Sequence, residues 1–194
     1  MQAALTQYAQ RLREWNQHIN LVGPETLKHL ERRHLADCLQ LISYLPTEKS
    51  LKIMDLGTGA GLPGLVLAIA CPQHQLTLVE SDSRKCAFLH TVIQDLGLTN
   101  TTVLNQRLET LSATPTYQVI TARAFAPLSK ILPLSRGFLA PEGHWLLLKG
   151  VAVDEELRGC ETLFPMTTTR WQSKVADDGG THGWVLKITP GAAA

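Results

Sequence analysis

Apolar positions near the start of the chain recur at helical steps. Leu5, Tyr8, Leu12, Trp15 and Ile19 are three and four residues apart, the stripe of an amphipathic helix. A second stripe runs through Leu27, Leu30, His34, Cys38, Leu41 and Leu45. It opens after Gly23-Pro24 and closes at Pro46, predicting one further helix. From Leu51 the texture changes to short apolar runs that alternate with helical patterns. Residues Lys52–Leu56, Gln75–Glu80, 101–104, 118–121 and 144–148 read as strands. Residues 63–70, Ser83–Leu96 (stopped by Gly97) and 128–139 (interrupted by Pro133) read as helices. Residues 168–175 and 183–189 read as a hairpin around Asp177-Asp-Gly-Gly180. This alternation predicts an α/β fold with a mostly parallel central sheet covered by helices on both faces, and an antiparallel hairpin at or near one edge.

The length of 194 residues fits one domain, with a helical extension over 1–46 and an α/β core over 51–194. A hydrophobic fraction of 44% supports a sizeable core and excludes a disordered or fibrous chain. Lys plus Arg number 18 against 17 Asp plus Glu, so a nucleic-acid partner must meet a local basic patch rather than a basic protein. Cys38, Cys71, Cys86 and Cys160 are widely spaced with no CxxC pair. Neither a disulfide framework nor a metal site is expected, and reduced thiols in a cytoplasmic protein fit best. The polar, amphipathic start does not read as a signal peptide, and the apolar run 62–71 is too short and broken to span a bilayer. A soluble monomer is expected.

The most informative stretch is Asp55-Leu-Gly57-Thr-Gly59-Ala-Gly61-Leu-Pro-Gly64, between a strand and a helix. Gly57-x-Gly59-x-Gly61 suits S-adenosylmethionine, whereas Gly59-x-Gly61-x-x-Gly64 matches the dinucleotide fingerprint of an NAD-binding oxidoreductase. Both use glycine to let the backbone take positive φ and approach a ligand closely. Three details favour the methyl donor. Asp55, at the strand's carboxyl end, can organise the turn or reach the donor's amino group. Pro63 at the helix start removes an amide that a pyrophosphate would use. No second mononucleotide-binding half follows. Glu80, ending the second strand, is placed to accept hydrogen bonds from ribose hydroxyls, or else is a solvated charge or a helix cap.

Several strings together resemble the bacterial RsmG/GidB family of 16S ribosomal RNA guanine-N7 methyltransferases. They include Trp15-Asn16, Ile19-Asn-Leu-Val-Gly23, Arg33-His34-Leu-Ala-Asp37, the glycine turn, Leu78-Val-Glu-Ser81, Arg107-Leu-Glu109, Thr121-Ala-Arg-Ala-Phe-Ala126 and Leu148-Lys-Gly150. The resemblance implies a Rossmann-like class I S-adenosylmethionine-dependent fold. It also implies a guanine acceptor in the decoding-region loop of 16S rRNA in the small ribosomal subunit or an assembly intermediate. The implied donor contacts are Gly57 and Leu62 in the turn, Leu108 and Glu109 after the third strand, and Arg123 at the end of the fourth. Asp55, Gly59, Gly61 and Glu80 complete the candidate cofactor site. Glu109 could equally belong to a surface turn and Arg123 to an ion pair, although an arginine between Ala122 and Ala124 needs some partner.

Guanine N7 carries an in-plane lone pair and no proton to lose, so no general base is expected. Alignment of the base is the main demand, with Arg123 and Lys149 as positioning candidates. The chain lacks an Asn-Pro-Pro-Tyr-like motif for exocyclic amines, and Cys71-Pro72 is in the wrong order for a cytosine-attacking thiol. Arg33, His34, Arg84, Lys85 and Lys149 are the candidate RNA contacts. A basic helix face can be merely solvated, Arg33 and Asp37 are spaced as an i,i+4 pair, and His34 can be a core histidine. The rivals to methyl transfer are the oxidoreductase and a non-catalytic module that binds rRNA or ribosome precursors.

Overall fold

In a computed structural model, which describes residues 1–161, 165–176 and 179–191, seven strands form one sheet in the order β3-β2-β1-β4-β5-β7-β6. β1 (Lys52–Leu56), β2 (Gln75–Glu80), β3 (Thr101–Asn105), β4 (Tyr117–Arg123) and β5 (Leu139–Lys149) run parallel to one another. β7 (His182–Pro190) enters antiparallel between β5 and β6 (Met166–Ala176). The predicted hairpin is therefore present at one edge, while Asp177 and Asp178 of its turn lie outside the described residues.

Apolar side chains alternate across the sheet and build a core on each face. Ile53, Leu76, Leu78, Val119, Leu146 and Leu148 face one layer, and Met54, Leu56, Ile120, Trp145 and Leu147 face the other. The first layer is covered by α1 (Gln2–Asn16), the segment that follows it, α4 (Gly64–Ala70) and α5 (Ser83–Leu96). The second is covered by α6 (Leu128–Ser135) and α7 (Val153–Glu161). α1 follows its stripe, burying Leu5, Tyr8 and Leu12. It stops where Asn16 Oδ1 accepts from the amides of Leu21 and Val22 at 3.0 and 2.9 Å. α5 has its ends written locally: Asp82 accepts from the amides of Arg84 and Lys85, and Gly97 closes the helix in the left-handed region.

Two expectations are corrected. The stripe from Leu27 to Leu45 does not form one helix. It forms α2 (Pro24–Lys28), a wide π-turn (Leu30–Leu35), α3 (Ala36–Leu39) and a 3₁₀ turn (Gln40–Tyr44). The apolar members stay inside, but Asp37 and Gln40 also turn inward to partners on β6, and these polar pairings compete with uniform winding. The strands and helices from 118 to 149 also have different bounds. Pro133 falls inside α6, which gives way at Ser135 to a 3₁₀ turn, and β5 starts at Leu139 rather than His144.

Candidate active site

The site sits at the carboxyl ends of β1, β2, β4 and β5, where a parallel sheet opens between strands whose connections run to opposite faces. β1 delivers Asp55 beneath the glycine turn. Its Oδ2 accepts from Thr58 Oγ1 at 2.5 Å and from the Gly64 amide at 2.8 Å, closing the loop on itself. Asp55 is fully buried, and among the described residues its Oδ1 has no partner. Burial pushes the carboxyl up to about 7 against the two hydrogen bonds, and the nearby Glu80 adds to the rise. A Cβ on Gly64 would lie 2.6 Å from Asp55 Oδ2, so this close approach requires glycine. From α1, the buried Tyr8 hydroxyl donates to the Ala60 carbonyl at 2.7 Å and fastens the turn from behind.

Glu80 holds the turn from the side. Oε2 accepts from the Gly59 amide at 3.0 Å, and Oε1 accepts from the amides of Ser81 and Asp82. A cavity of about 270 Å³ opens here, lined by Gly57, Glu80, Leu108, Glu109, Phe125 and Lys130 among others. Leu108 is buried at the start of a 3₁₀ turn (Leu108–Thr110); Glu109 is exposed and 4.0 Å from Lys130 Nζ.

A second cavity, about 560 Å³ and open to solvent, adjoins it. Its lining includes Arg33, Asp37, Arg123, Lys149, Glu156 and His182. Residues 124–126 line both cavities, so the two share one wall. Ala124 in that wall has φ of +49°, a sparsely populated conformation for a residue with a Cβ. Phe125 turns its ring onto Gly57.

The charged groups of the larger cavity come in two sets. Arg123 and Leu148 are register partners at the ends of β4 and β5, and Lys149 is one residue further on, so the Arg123 and Lys149 side chains leave opposite faces of the sheet. Arg123 Nη2 contacts His34 Nδ1, and its Nε lies 3.7 Å from Asp37 Oδ2. Asp37 Oδ1 in turn accepts from Gln40 Nε2 and Ser173 Oγ at 2.6 and 3.0 Å, while the Gln40 side-chain oxygen Oε1 accepts from the Lys174 amide. Burial raises the Asp37 carboxyl above the usual range, opposed by the Arg123 charge. On the other face, Lys149 Nζ lies 2.7 Å from Glu156 Oε2 and donates to the Ala126 carbonyl at 3.0 Å. The same Glu156 oxygen accepts from the Leu128 amide at 2.8 Å.

The structure thus gathers Gly57, Glu80, Leu108 and Glu109 around the smaller cavity and Arg33, Arg123 and Lys149 around the larger, with His34 behind Arg123. Asp55, Gly59, Gly61 and Leu62 build the turn rather than line either cavity. Arg84 and Lys85 stand apart on the first turn of α5, where Arg84 also pairs with Asp82. Sequence reasoning missed Glu156, because it missed α7. The signal was present: Val153, Leu157 and Cys160 recur at helical steps, and Asp154, Glu155 and Glu156 suit a first helical turn. Phe125, Tyr8 and Ser173 were also missed, their roles depending on distant contacts.

The model of the family described as rRNA small subunit methyltransferase G matches residues 1–177. The chain belongs to that family, and so is a methyltransferase. It is 43% identical over 187 residues to the ribosomal RNA small subunit methyltransferase G of Rhodospirillum rubrum, covering 95% of this chain and 88% of that protein. Its identity to the protein of the same name from Gluconobacter oxydans is 40% over 185 residues, covering 95% and 91%. In fold it resembles the O-methyltransferase TomG of Streptomyces achromogenes, solved in complex with S-adenosylmethionine. That match has a TM-score of 0.62 at 17% identity and covers 97% of this chain and 90% of the other. The oxidoreductase alternative is not favoured. The Gly64 amide at the start of α4 is committed to Asp55, and after β5 the sheet continues into an antiparallel pair rather than a second mononucleotide-binding half.

Proposed function

We propose that this chain transfers the methyl group of S-adenosylmethionine to N7 of a guanine in 16S rRNA of the small ribosomal subunit. The observation that carries the reading is the pair of cavities meeting at residues 124–126, one beside the glycine turn at Gly57 and one lined by Arg33, Arg123 and Lys149 together with Asp37 and Glu156. The smaller cavity suits the methyl donor. Gly57 lets the Phe125 ring close over the turn, Glu80 offers a buried carboxylate beside it, and the buried Asp55 keeps the turn in shape. Gly57, Glu80, Leu108 and Glu109 would hold the donor, with Leu62 shaping the turn behind them. When bound, S-adenosylmethionine supplies an electrophilic methyl carbon.

The chain's own part is to extract and orient a base. The larger cavity falls in the size range of small-ligand sites and can take a nucleotide turned out of its stack. Arg33 and Arg123 bring positive charge to it for the RNA backbone, while Lys149, only 10% exposed, is set in its wall beside Glu156 to meet the base. N7 has no proton to lose, so no side chain must act as base, and the work is alignment and exclusion of water. Arg84 and Lys85, outside the cavity, suit an RNA segment running past α5. Radiolabelled transfer to small subunits lacking this modification, followed by mapping of the label, tests the reading. Label on guanine N7 that is lost in G57A is the expected result. Tight donor binding with no transfer to subunits, naked rRNA or assembly intermediates would leave a binding module.

A further inference from the structure

We infer that Glu156 is the residue that distinguishes guanine from the other bases in the larger cavity, a reading that rests on the function proposed above. Glu156 projects from the first turn of α7 into that cavity beside Lys149. Its Oε2 is doubly committed, to the Lys149 ammonium and to the Leu128 amide. Among the described residues no partner engages Oε1, and that oxygen is not sealed off from solvent. Lys149 also retains capacity: of the three donors of an ammonium, one meets Glu156 and one meets the Ala126 carbonyl. The couple therefore presents a hydrogen-bond donor next to a charged acceptor, on a wall where the Lys149 side chain is only 10% exposed.

That pattern complements one base edge. Guanine offers an acceptor, O6, next to two donors, N1–H and N2–H₂. Adenine offers a donor at N6 beside an acceptor at N1, which would bring donor against donor and acceptor against acceptor. Lys149 donating to O6 and Glu156 accepting from N1–H and N2–H₂ would engage guanine by the edge away from N7, leaving the N7 lone pair free. The arrangement also places both groups where the fold holds them firmly. Glu156 ties α7 to the start of α6 through Leu128, and Lys149 ties β5 to the shared wall through Ala126. Arg123 and Asp37 reach the same cavity from the opposite face of the sheet, where they face each other rather than Lys149 and Glu156.

The test uses small subunits reconstituted around 16S rRNA carrying guanine or inosine at the methylated position. Inosine keeps O6, N1–H and N7 but lacks the N2 amine. Wild type, E156Q and E156D are compared by kcat/KM for label transfer and by Kd for the same subunits without methyl donor. A lost hydrogen bond to a charged acceptor is expected to lower kcat/KM and raise Kd about tenfold or more when inosine replaces guanine in the wild type. E156Q falls by a similar factor on guanine and shows no further loss on inosine. Its amide oxygen still accepts from the Leu128 amide and the Lys149 ammonium, so its affinity for S-adenosylmethionine stays near wild type. The guanine-to-inosine ratio reports the base contact whatever the lost ion pair does to the melting temperature. E156D, which keeps the charge, recovers part of the preference for guanine. Equal activity of the wild type on guanine and inosine overturns the assignment without touching the function. So does an E156Q defect of the same factor on both substrates. Failure of the wild type to label guanine N7 on either substrate overturns the function itself, and the assignment with it.

Discussion

The ring of Phe125 lies across Gly57 so closely that a Cβ on Gly57 would come within 2.2 Å of it. The relationship joins the glycine turn to the wall shared by the two cavities, so the shape of one fixes the other. Gly57 also has φ of +59°, which a side chain resists. G57A is expected to weaken S-adenosylmethionine binding at least tenfold by isothermal titration. Adding F125A removes the collision but not the backbone strain, so the double variant recovers only part of the affinity.

Asp55 and His144 pull the pH dependence of stability in opposite directions. Burial raises the Asp55 carboxyl to about 7, so the folded state holds a proton that the unfolded chain releases, and this contribution falls as pH rises from about 4 to about 7. Burial lowers His144 to about 4, aided by the Lys187 charge. The unfolded chain then binds the extra proton, and stability rises with pH from about 4 to about 6.5. The two slopes cancel over most of that window. Urea unfolding of the wild type is expected to vary little between pH 4.5 and 6.5 on their account, D55N to gain stability with rising pH, and H144Q to lose it. Parallel curves for all three proteins would refute the compensation.

Tyr8 is the means by which the first helix reaches the glycine turn. Y8F removes the donor to the buried Ala60 carbonyl and leaves that oxygen unpaired, at a cost of about 1–3 kcal/mol. Thermal unfolding should show the loss, together with weaker S-adenosylmethionine binding as the turn loosens. A variant that melts earlier yet binds the donor as wild type would confine Tyr8 to the core.

Arg123 meets His34 through Nη2 and Asp37 through Nε, two directions that a single ammonium cannot reproduce. R123K keeps the charge and is expected to lower methyl transfer about 10- to 100-fold in single-turnover assays while shifting the melting temperature by only a few degrees. Transfer at the wild-type rate would reduce Arg123 to a counter-ion for Asp37.

The parts of this fold that could be read from the chain are those whose causes are local. The apolar runs of β1 and β2, the Asp82 cap and Gly97 stop of α5, and the glycine turn each lie within a few residues of what produces them. Glu80 was legible because a strand end next to a glycine turn leaves a carboxylate few other places to point. The winding of 24–44 was not, because Asp37 and Gln40 answer to Ser173 and Lys174, more than 130 residues away. α7 was obscured by its brevity and by the density of charge around three apolar positions. The lining of the larger cavity was only partly legible. Arg33, Arg123 and Lys149 stood out as cations, but their partners come from other elements.

β7 lies between β5 and β6 although β6 precedes it in the chain. During synthesis β6 therefore leaves the ribosome before the strand that connects it to the sheet exists. Ser173 on β6, and with it the far anchor of Asp37, reaches its station only when β7 has slotted in. A nascent chain that has emerged as far as Lys130 already carries Gly57, Glu80, Leu108, Glu109 and Phe125. It still lacks Lys149, Glu156 and His182. The lining of the smaller cavity is thus complete in the emerging chain before that of the larger one.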